Sequence, residues 1–488
     1  MEMAFLKYHM IWLFIAPILL LSGCATPEAD IPRLGTSLSP TFRHSDTADT
    51  LSDDIQWWGK FNDPVLTSLI EKGLKSNHDI KIAMARIKAV RAGHEAQVSR
   101  LWPTLNLQTS ASTTHSGLPE PFKQGLPDVR AYRAGIDLAW EIDVSGGIRA
   151  AANAAKSDAI AVESGAAGAR LLISSGIARQ YFILRGTQRH LYLVEALAKT
   201  QHESAHVMFR RFEQGQSSRL DLNLAEAEAS ILDAQIPPLR TLVTVTQNQI
   251  ALLLGENPSI PPVSHNGVYV WPQSRIIGTG QPSDLLRRRP DLMAAEARYT
   301  AESLRSKEAE SQTWPKLFVN ALIGREDLRI NGFDLASVPF FNVAMAFAVP
   351  IFNAGRIQGG IDVQSARENE ALLAWQKSVL VAVKEVEDSL SVRSEEIKRG
   401  TSLNAVVMSR NRALKEVQSL YREGQIDKLS LLNVQRSVLV SEIALMDHET
   451  QRLLADVQLY KALGGGWNPL QNESKLESEK DKFMKVLP

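Results

Sequence analysis

Residues 202–206 read His-Glu-Ser-Ala-His and match the HExxH pattern of zinc proteases. On a helix, His202 and His206 share one face and can bind a zinc ion, while Glu203 can act as the general base. Glu226 follows, and a hairpin that turns near Gln216 would bring it opposite His206 as a third ligand. The spacing therefore allows metalloprotease chemistry.

Two features of the chain argue against this zinc site. A second copy of the segment, described below, carries Asn411, Arg412 and Lys415 at the equivalent positions, and none of them has ligand character. The motif also falls on a long predicted coil, whereas a catalytic zinc needs a shaped cavity with supporting hydrogen bonds. No Walker-type phosphate loop is found in the sequence. We therefore predict no enzyme, no metal site and no cofactor other than a covalent lipid.

The only cysteine of the chain, Cys24, ends the stretch Leu-Ser-Gly-Cys, which resembles the bacterial lipobox. It follows the apolar segment 11–20, which is too short to span a bilayer and is typical of a signal peptide. Cleavage at a lipobox leaves a lipidated N-terminal cysteine, and Ala25 after it favours, by the same resemblance, delivery to the outer membrane. One acyl chain binds a membrane reversibly, so firm anchoring requires a second device.

The chain contains two copies of one sequence unit. Identical residues recur 209 positions apart as the pairs Ile142/Ile351, Gly146/Gly355, Gly215/Gly424, Leu220/Leu429 and Leu254/Leu463. A unit of about 190 residues is far longer than solenoid periods of roughly 20–50 residues. We predict five segments: a signal peptide (1–23), an extended linker with the lipidated Cys24 (24–60), a first repeat (61–270), a second repeat (271–467) and a charged disordered tail (468–488).

Each copy carries two segments in which apolar and polar residues alternate. They run from Leu105 to Ala111 and from Tyr132 to Ile142 in the first copy, and from Leu317 to Ile323 and from Phe341 to Val349 in the second. Their length of about ten residues matches a tilted membrane-spanning β-strand of roughly 9–11 residues. Alternation alone also fits a soluble half-buried hairpin, so that alternative stays open at this point.

The other segments of each copy show helical periodicity. In the first copy we predict helices from Pro64 to about Leu101, from Gly147 to Phe212 and from Arg219 to Leu254, the last of them kinked at Pro237-Pro238. The middle helix would be roughly 100 Å long at 1.5 Å per residue. Such a coil is too elongated for a globular core.

If the alternating segments span a membrane, one chain supplies four strands. Single-chain barrels begin at eight strands, and an open sheet edge is not viable in lipid. Several chains must then close one barrel by cyclic symmetry, as a dimer with eight strands or a trimer with twelve. Only the larger barrel leaves a useful lumen.

Motifs between about residues 55 and 467 keep a recognisable order and spacing. They are Trp57-Trp58 with Phe61, Asp63-Pro64, Leu66, Leu69-Ile70, the stretches 77–80 and 284–292, and the tip motifs Phe212-Glu213-Gln214-Gly215 and Tyr421-Arg422-Glu423-Gly424. In these residues the chain resembles the bacterial outer membrane factors, the TolC/OprM type, and within them the lipid-anchored NodT-like branch. The resemblance implies a mixed α and β fold, in which internally duplicated chains form a trimeric 12-stranded β-barrel with four strands per chain. A long α-helical coiled-coil barrel would continue it into the periplasm of a Gram-negative bacterium.

The resemblance also implies partners and site residues. The homotrimer would sit in outer membrane lipid and meet a periplasmic adaptor and an inner-membrane pump, and at zero net charge no nucleic acid is expected. The tip and adaptor-docking residues would be Phe212, Gly215, Tyr421 and Gly424. The gate would be formed by Leu429 as an apolar constriction, with Ser430, Asn433 and Asp221 beside it. Asn433 stands where relatives often carry an aspartate, so a polar ring is expected there.

The resemblance therefore implies a passive outer membrane channel of a tripartite efflux system for drugs or other small solutes. Two alternatives remain at this point: a type I secretion outlet for polypeptides, and a pore-less, lipid-anchored periplasmic coiled-coil adaptor. The four alternating segments separate the channel from the adaptor, because a pore-less adaptor needs no membrane strands.

Overall fold

The computed structural model describes residues 38–44, 56–115, 117–119, 128–263, 269–273, 277–330 and 333–465. The predicted signal peptide, Cys24 and the tail 468–488 lie outside the described residues. The chain divides into two compact units. The sheet unit lies within Ile87–Val162 and Ala295–Trp375, and the helical unit lies within Gly35–Arg86, Glu163–Ala294 and the described residues from Gln376 onward.

The main helices and strands follow in a similar order in the two halves of the chain. The first half contains α1 (Pro64–Ser76), α2 (His78–Val98), β1 (Thr104–Thr114), β2 (Val129–Ile142), α3 (Gly147–Glu213) and α4 (Arg219–Leu254). The second half contains α5 (Leu285–Arg288), α6 (Pro290–Ser311), β3 (Lys316–Ile330), β4 (Phe333–Asp334), β5 (Val338–Ala348), α7 (Arg356–Arg422) and α8 (Lys428–Ala462). The predicted bounds of α4 are confirmed, whereas the two-residue strand β4 was not predicted. Pro237 and Pro238 lie inside α4, and the kink there stays a prediction.

The prediction of one continuous helix from Pro64 to Leu101 was wrong. The helix breaks at the buried Asn77, whose ψ of 137° is extended rather than helical. The Asn77 side-chain oxygen accepts hydrogen bonds from the backbone N–H groups of Asp79 (2.8 Å) and Ile80 (3.2 Å), so it caps α2. The apolar periodicity continues across this break, and for that reason the pattern concealed it.

An aromatic cluster closes the core of the helical unit around the start of α1. Trp57 is fully buried and stacks on Tyr460 with ring centroids 5.3 Å apart. Asp63 caps α1 by accepting a hydrogen bond from the backbone of Leu66, and the Tyr181 hydroxyl donates to the same carboxylate over 2.8 Å. The Trp-Trp and Asp-Pro motifs of the sequence therefore contribute to the packing of the core and to the start of α1.

The four long strands of the sheet unit form one antiparallel sheet in the order β1-β2-β3-β5, and β4 adds a short extension to β3. The pair β2–β3 joins the two halves of the chain. Strands β1 and β5 are the outer strands of this sheet, each paired with one long neighbour among the described residues. The strands are 11, 14, 15 and 11 residues long, which is sufficient for a tilted membrane span.

Candidate functional site

The sheet carries one apolar face across all four long strands. Its register places Leu107 opposite Ile136, Ile136 opposite Ile323, and Ile323 opposite Phe341. These side chains are 76%, 49%, 57% and 72% exposed in the single chain. The neighbouring row continues the pattern with Leu105, Leu138, Ala321 and Val343. A continuous exposed apolar face of this kind suits lipid rather than water.

The opposite face of the same sheet holds most of its polar and small side chains, although Phe318, Leu322 and Phe340 also lie on it. Asn106 donates to Asp137 across β1 and β2 over 3.2 Å, and Arg133 forms an ion pair with Glu326 across β2 and β3 at 2.6 Å. Glycines lie opposite each other at positions 135 and 324. One face for lipid and one for water is the arrangement of a membrane β-barrel wall, and it disfavours a half-buried soluble hairpin.

The four predicted tip residues form two equivalent turns. At the end of α3, the Gly215 N–H donates to the Phe212 carbonyl oxygen over 2.9 Å. At the end of α7, the Gly424 N–H donates to the Tyr421 carbonyl oxygen over 3.1 Å. The glycine φ angles of 69° and 73° are left-handed, so these turns are Schellman caps that require glycine.

The helices that follow these turns begin with caps in which serine and aspartate exchange positions, an arrangement called inverted caps below. Ser218 caps α4, and its hydroxyl and backbone N–H donate to Asp221, which lowers the pKa of that carboxyl group. Asp427 caps α8 and accepts from Ser430, which likewise lowers the Asp427 pKa. Two of the predicted gate residues, Asp221 and Ser430, are therefore the partners of helix caps in this structure.

Ion pairs connect the two turns within one chain. Arg211 donates to Asp427 over 2.8 Å, and Lys428 lies 3.4 Å from Glu203 and 5.9 Å from the centre of the Tyr421 ring. Sequence reasoning missed this link, because it joins residues 216 positions apart and no local pattern marks it. The Asp-x-x-Ser spacing could have identified Asp427 as a cap, but not its bond to Arg211.

The other predicted gate residues lie on the first turns of α8. Leu429 is half-buried, whereas Ser430 and Asn433 are exposed. Leu220, which is equivalent to Leu429 in the first half, is 66% exposed. The structure thus places three predicted gate residues on one helix start, while Asp221 belongs to the other hairpin.

The HExxH residues have separate partners. His202 contacts Asp233 with 2.9 Å between Nε2 and Oδ2, and Glu203 pairs with Lys428. His206 and Glu226 are exposed. Among the described residues, no group of three or more His, Cys, Asp or Glu side chains is arranged to hold a metal ion.

Of the described helices, only α8 is long and apolar enough to cross a membrane by length and composition. It buries Leu432, Leu453 and Leu459 within the helical unit. Core helices of soluble proteins can have the same length and composition, so this feature carries no weight against the sheet.

Comparison with known proteins gives consistent matches. A family model described as outer membrane efflux protein matches residues 69–256 and 281–465. The solvent efflux pump outer membrane protein SrpC of Pseudomonas putida is 28% identical over 84% of this chain and 87% of its own length. The pyoverdine export outer membrane protein OpmQ of Pseudomonas aeruginosa is 29% identical over 93% and 96%. The solved outer-membrane channel OprN superimposes with a TM-score of 0.81 at 25% identity, covering 91% of this chain and 100% of OprN.

Proposed function

Because this chain belongs to the outer membrane efflux protein family, we propose that it is the outer membrane channel of a tripartite efflux system. In this proposal an internally duplicated chain assembles as a trimer with a twelve-stranded barrel, and substrate passes through it passively. The family is one of efflux channels, and the chain supplies a conduit rather than catalysis. The observation that carries the proposal is the sheet of four long strands with one exposed apolar face.

The outer strands of the sheet favour a multi-chain barrel. In lipid, an unpaired strand edge leaves backbone groups without hydrogen bonds, and each costs several kcal/mol. Four strands are too few to close a barrel, so β1 of one chain would pair with β5 of the next. Three chains then give twelve strands and a lumen lined by the polar face.

The surface of α4 also favours assembly with further copies of this chain. Leu224, Ile231, Val245 and Leu252 are 54–62% exposed in the single chain, and with Pro238 they follow a seven-residue repeat. A seven-residue apolar repeat is typical of a helix that packs in a coiled coil. We propose that a neighbouring protomer covers this face in the α-helical barrel.

The two turns would form the periplasmic end of the channel. Phe212, Gly215, Tyr421 and Gly424 would contact a periplasmic adaptor that connects to an inner-membrane pump. Leu429, Ser430, Asn433 and Asp221 would lie at or beside the closed gate. Leu429→Ala should make the channel leak and sensitise cells to bulky antibiotics, whereas Leu220→Ala is the matched control. Unchanged permeability in Leu429→Ala would remove this leucine from the gate.

We propose a lipid on Cys24 as an additional anchor, because the sequence matches a lipobox there. With the barrel as the main anchor, Cys24→Ser should lose acylation and keep some membrane-bound trimer. The relatives are named for solvent efflux and for pyoverdine export. By analogy, the substrates of this channel would be small solutes selected by the pump.

The experiment that tests the proposal is reconstitution of the purified full-length protein in planar bilayers. We expect a heat-modifiable trimer on gels and stable single-channel conductance. A monomeric protein without conductance would contradict the channel and favour a pore-less adaptor. Loss of secreted polypeptides in a deletion strain, with drug susceptibility unchanged, would instead favour a type I secretion outlet.

A further inference from the structure

Strands β2 and β3 extend beyond the apolar band of the sheet. On the apolar face, β2 carries Ile142, Trp140, Leu138, Ile136 and Ala134, and polar or charged residues follow them. These nine residues, 134 to 142, span about 27 Å along the strand and about 21 Å at a tilt of roughly 40°. This is close to the apolar band of about 25 Å in outer membrane barrels. The remainder of the strand pair would therefore reach the headgroup region.

The outer end of the band and this remainder together carry three arginines on the lipid-facing side. In the register, Ala134 lies opposite Arg325, Tyr132 opposite Asp327, and Arg130 opposite Arg329. Residues directly opposite in an antiparallel pair share a face, so all of these side chains continue the apolar face. Tyr132 is 59% exposed and lies at the boundary, where outer membrane barrels place aromatic girdles.

The charges of this patch are incompletely balanced within the chain. Arg329 pairs with Asp334 at 3.4 Å, and Asp327 supplies a second carboxylate on the same face. Among the described residues, no ion pair engages Arg130 or Arg325, and both side chains are exposed. Arg130 and Arg329 are like charges directly opposite each other, which destabilises a strand pair. An anion between them would relieve that repulsion.

We propose that Arg130, Arg325 and Arg329 form a site on the outer surface of the barrel for the phosphate groups of an anionic lipid in the outward-facing leaflet. This inference rests on the proposed function, since it requires the hairpin end of the barrel to face outward. The guanidinium group suits phosphate because it binds two oxygens at once. Continuity with the lipid-facing band favours a lipid over a free anion, because the acyl chains would lie along the apolar face directly beside the patch.

The test uses the purified full-length trimer in detergent with two probes, bis-phosphorylated lipid A and dephosphorylated lipid A. Native mass spectrometry counts the lipid A molecules bound. The variant Arg130→Gln/Arg325→Gln/Arg329→Gln should weaken binding of the phosphorylated probe, by about fivefold in Kd for each arginine removed. The matched control Arg86→Gln/Arg412→Gln/Arg436→Gln removes the same charge from exposed positions on helices and should bind like the unmodified protein.

A single variant separates lipid binding from a structural role. Without lipid, Arg130→Gln should leave the thermal midpoint unchanged or raise it, because it removes the repulsion with Arg329. With phosphorylated lipid A, the same variant should gain less thermal stability than the unmodified trimer. A variant that is less stable with and without lipid would show a purely structural role and overturn the proposal.

Further outcomes separate this inference from the channel itself. Equal binding of the two lipid probes, or protection by inorganic phosphate as strong as that by lipid A, would overturn the lipid site. Conductance of the trimer in bilayers is measured on the same preparations. A conducting trimer without phosphate discrimination overturns only this inference, whereas a protein that forms no membrane trimer overturns the proposed function with it.

Discussion

Each half of the chain has a carbonyl oxygen at the same position near a helix end, and a different side chain donates a hydrogen bond to it in each half. In the first half, the Asn77 amide donates to the carbonyl oxygen of Leu253 near the end of α4 over 2.8 Å. In the second half, the Arg289 guanidinium donates to the carbonyl oxygen of Ala462 at the end of α8 over 2.9 Å. Leu253 and Ala462 are equivalent positions, and carbonyl groups at a helix end lack a partner within the helix. The site is the same, but its chemistry is neutral in one half and ionic in the other.

The Arg289 site is an ion cluster. Arg289 makes two hydrogen bonds to Asp291, at 3.0 Å and 2.7 Å, and an ion pair with Glu385 at 2.7 Å, and its side chain is 8% exposed. Burial alone would raise the pKa of Asp291, but the hydrogen bonds from Arg289 outweigh it, so the Asp291 pKa is lowered. By contrast, Asn77 joins the end of α4 to the start of α2 without any charge.

The same contrast recurs between the long helices. In the second half, Arg393 pairs with the buried Asp456 at 2.8 Å, and Arg452 approaches the same carboxylate at 3.4 Å. The equivalent first-half residues are Leu184, Gln247 and Val243. The hairpin that carries most of the predicted gate is therefore held by ion pairs, and the other by less charged packing. A buried charge stabilises only while its partner is present, so the second half should be the more easily broken one.

The largest effect is expected from Asp456→Asn. It leaves the buried Arg393 beside a neutral amide, whereas Arg452 keeps its pair with Glu449 at 2.8 Å, and breaking a buried pair in this way costs about 3–5 kcal/mol. We expect a clear drop in the thermal midpoint of the purified protein, followed by circular dichroism. The double variant Arg393→Leu/Asp456→Gln copies Leu184 and Gln247 and should recover most of the loss. If the double variant is as unstable as Asp456→Asn, the ion pair is not what distinguishes the halves.

The next effect compares the two helix-end sites directly. Arg289→Met removes hydrogen bonds to one carbonyl oxygen and to two partly exposed carboxylates, and should cost about 1.5–3 kcal/mol. Asn77→Ala removes a helix cap and one hydrogen bond, and should cost about 1–2 kcal/mol. Thermal unfolding of both variants under one condition checks the order. An equal loss for the two would mean that charge adds nothing at this position.

Acidification should weaken the ion cluster around Arg289. A carboxyl group with a lowered folded-state pKa contributes stability above its unfolded pKa of about 3.9, and loses it as the pH falls through the folded value. For Asp291 the loss therefore develops below about pH 4. Thermal midpoints measured from pH 6 downward should fall more in the unmodified protein than in Arg289→Met, which has no such pair to lose. Parallel curves would contradict this assignment.

The fold was more predictable from the sequence than the site. The strands and α4 could be predicted because period-two alternation, Gly215 and Leu254-Gly255 are local signals. The break at Asn77 could not, because the apolar periodicity continues across it, and the bond from Asn77 to Leu253 joins residues 176 positions apart. The partners of Arg289 were hidden for the same reason, whereas the turns at Gly215 and Gly424 follow from local signals. Contacts between distant residues leave no periodic trace in a chain.

The smallest stability effect, and the most specific one, concerns the inverted caps. Asp427→Ser with Ser430→Asp gives α8 the same Ser-x-x-Asp cap that Ser218 and Asp221 form on α4, but removes the 2.8 Å bond to Arg211. Exposed ion pairs contribute about 0.2–1 kcal/mol, so the thermal midpoint should hardly change. If the pair between Arg211 and Asp427 holds the two turns together, its loss in this variant should raise the single-channel conductance. Arg211→Lys, which keeps the charge, should conduct like the unmodified channel, and unchanged conductance in the swap would make the pair a surface contact only.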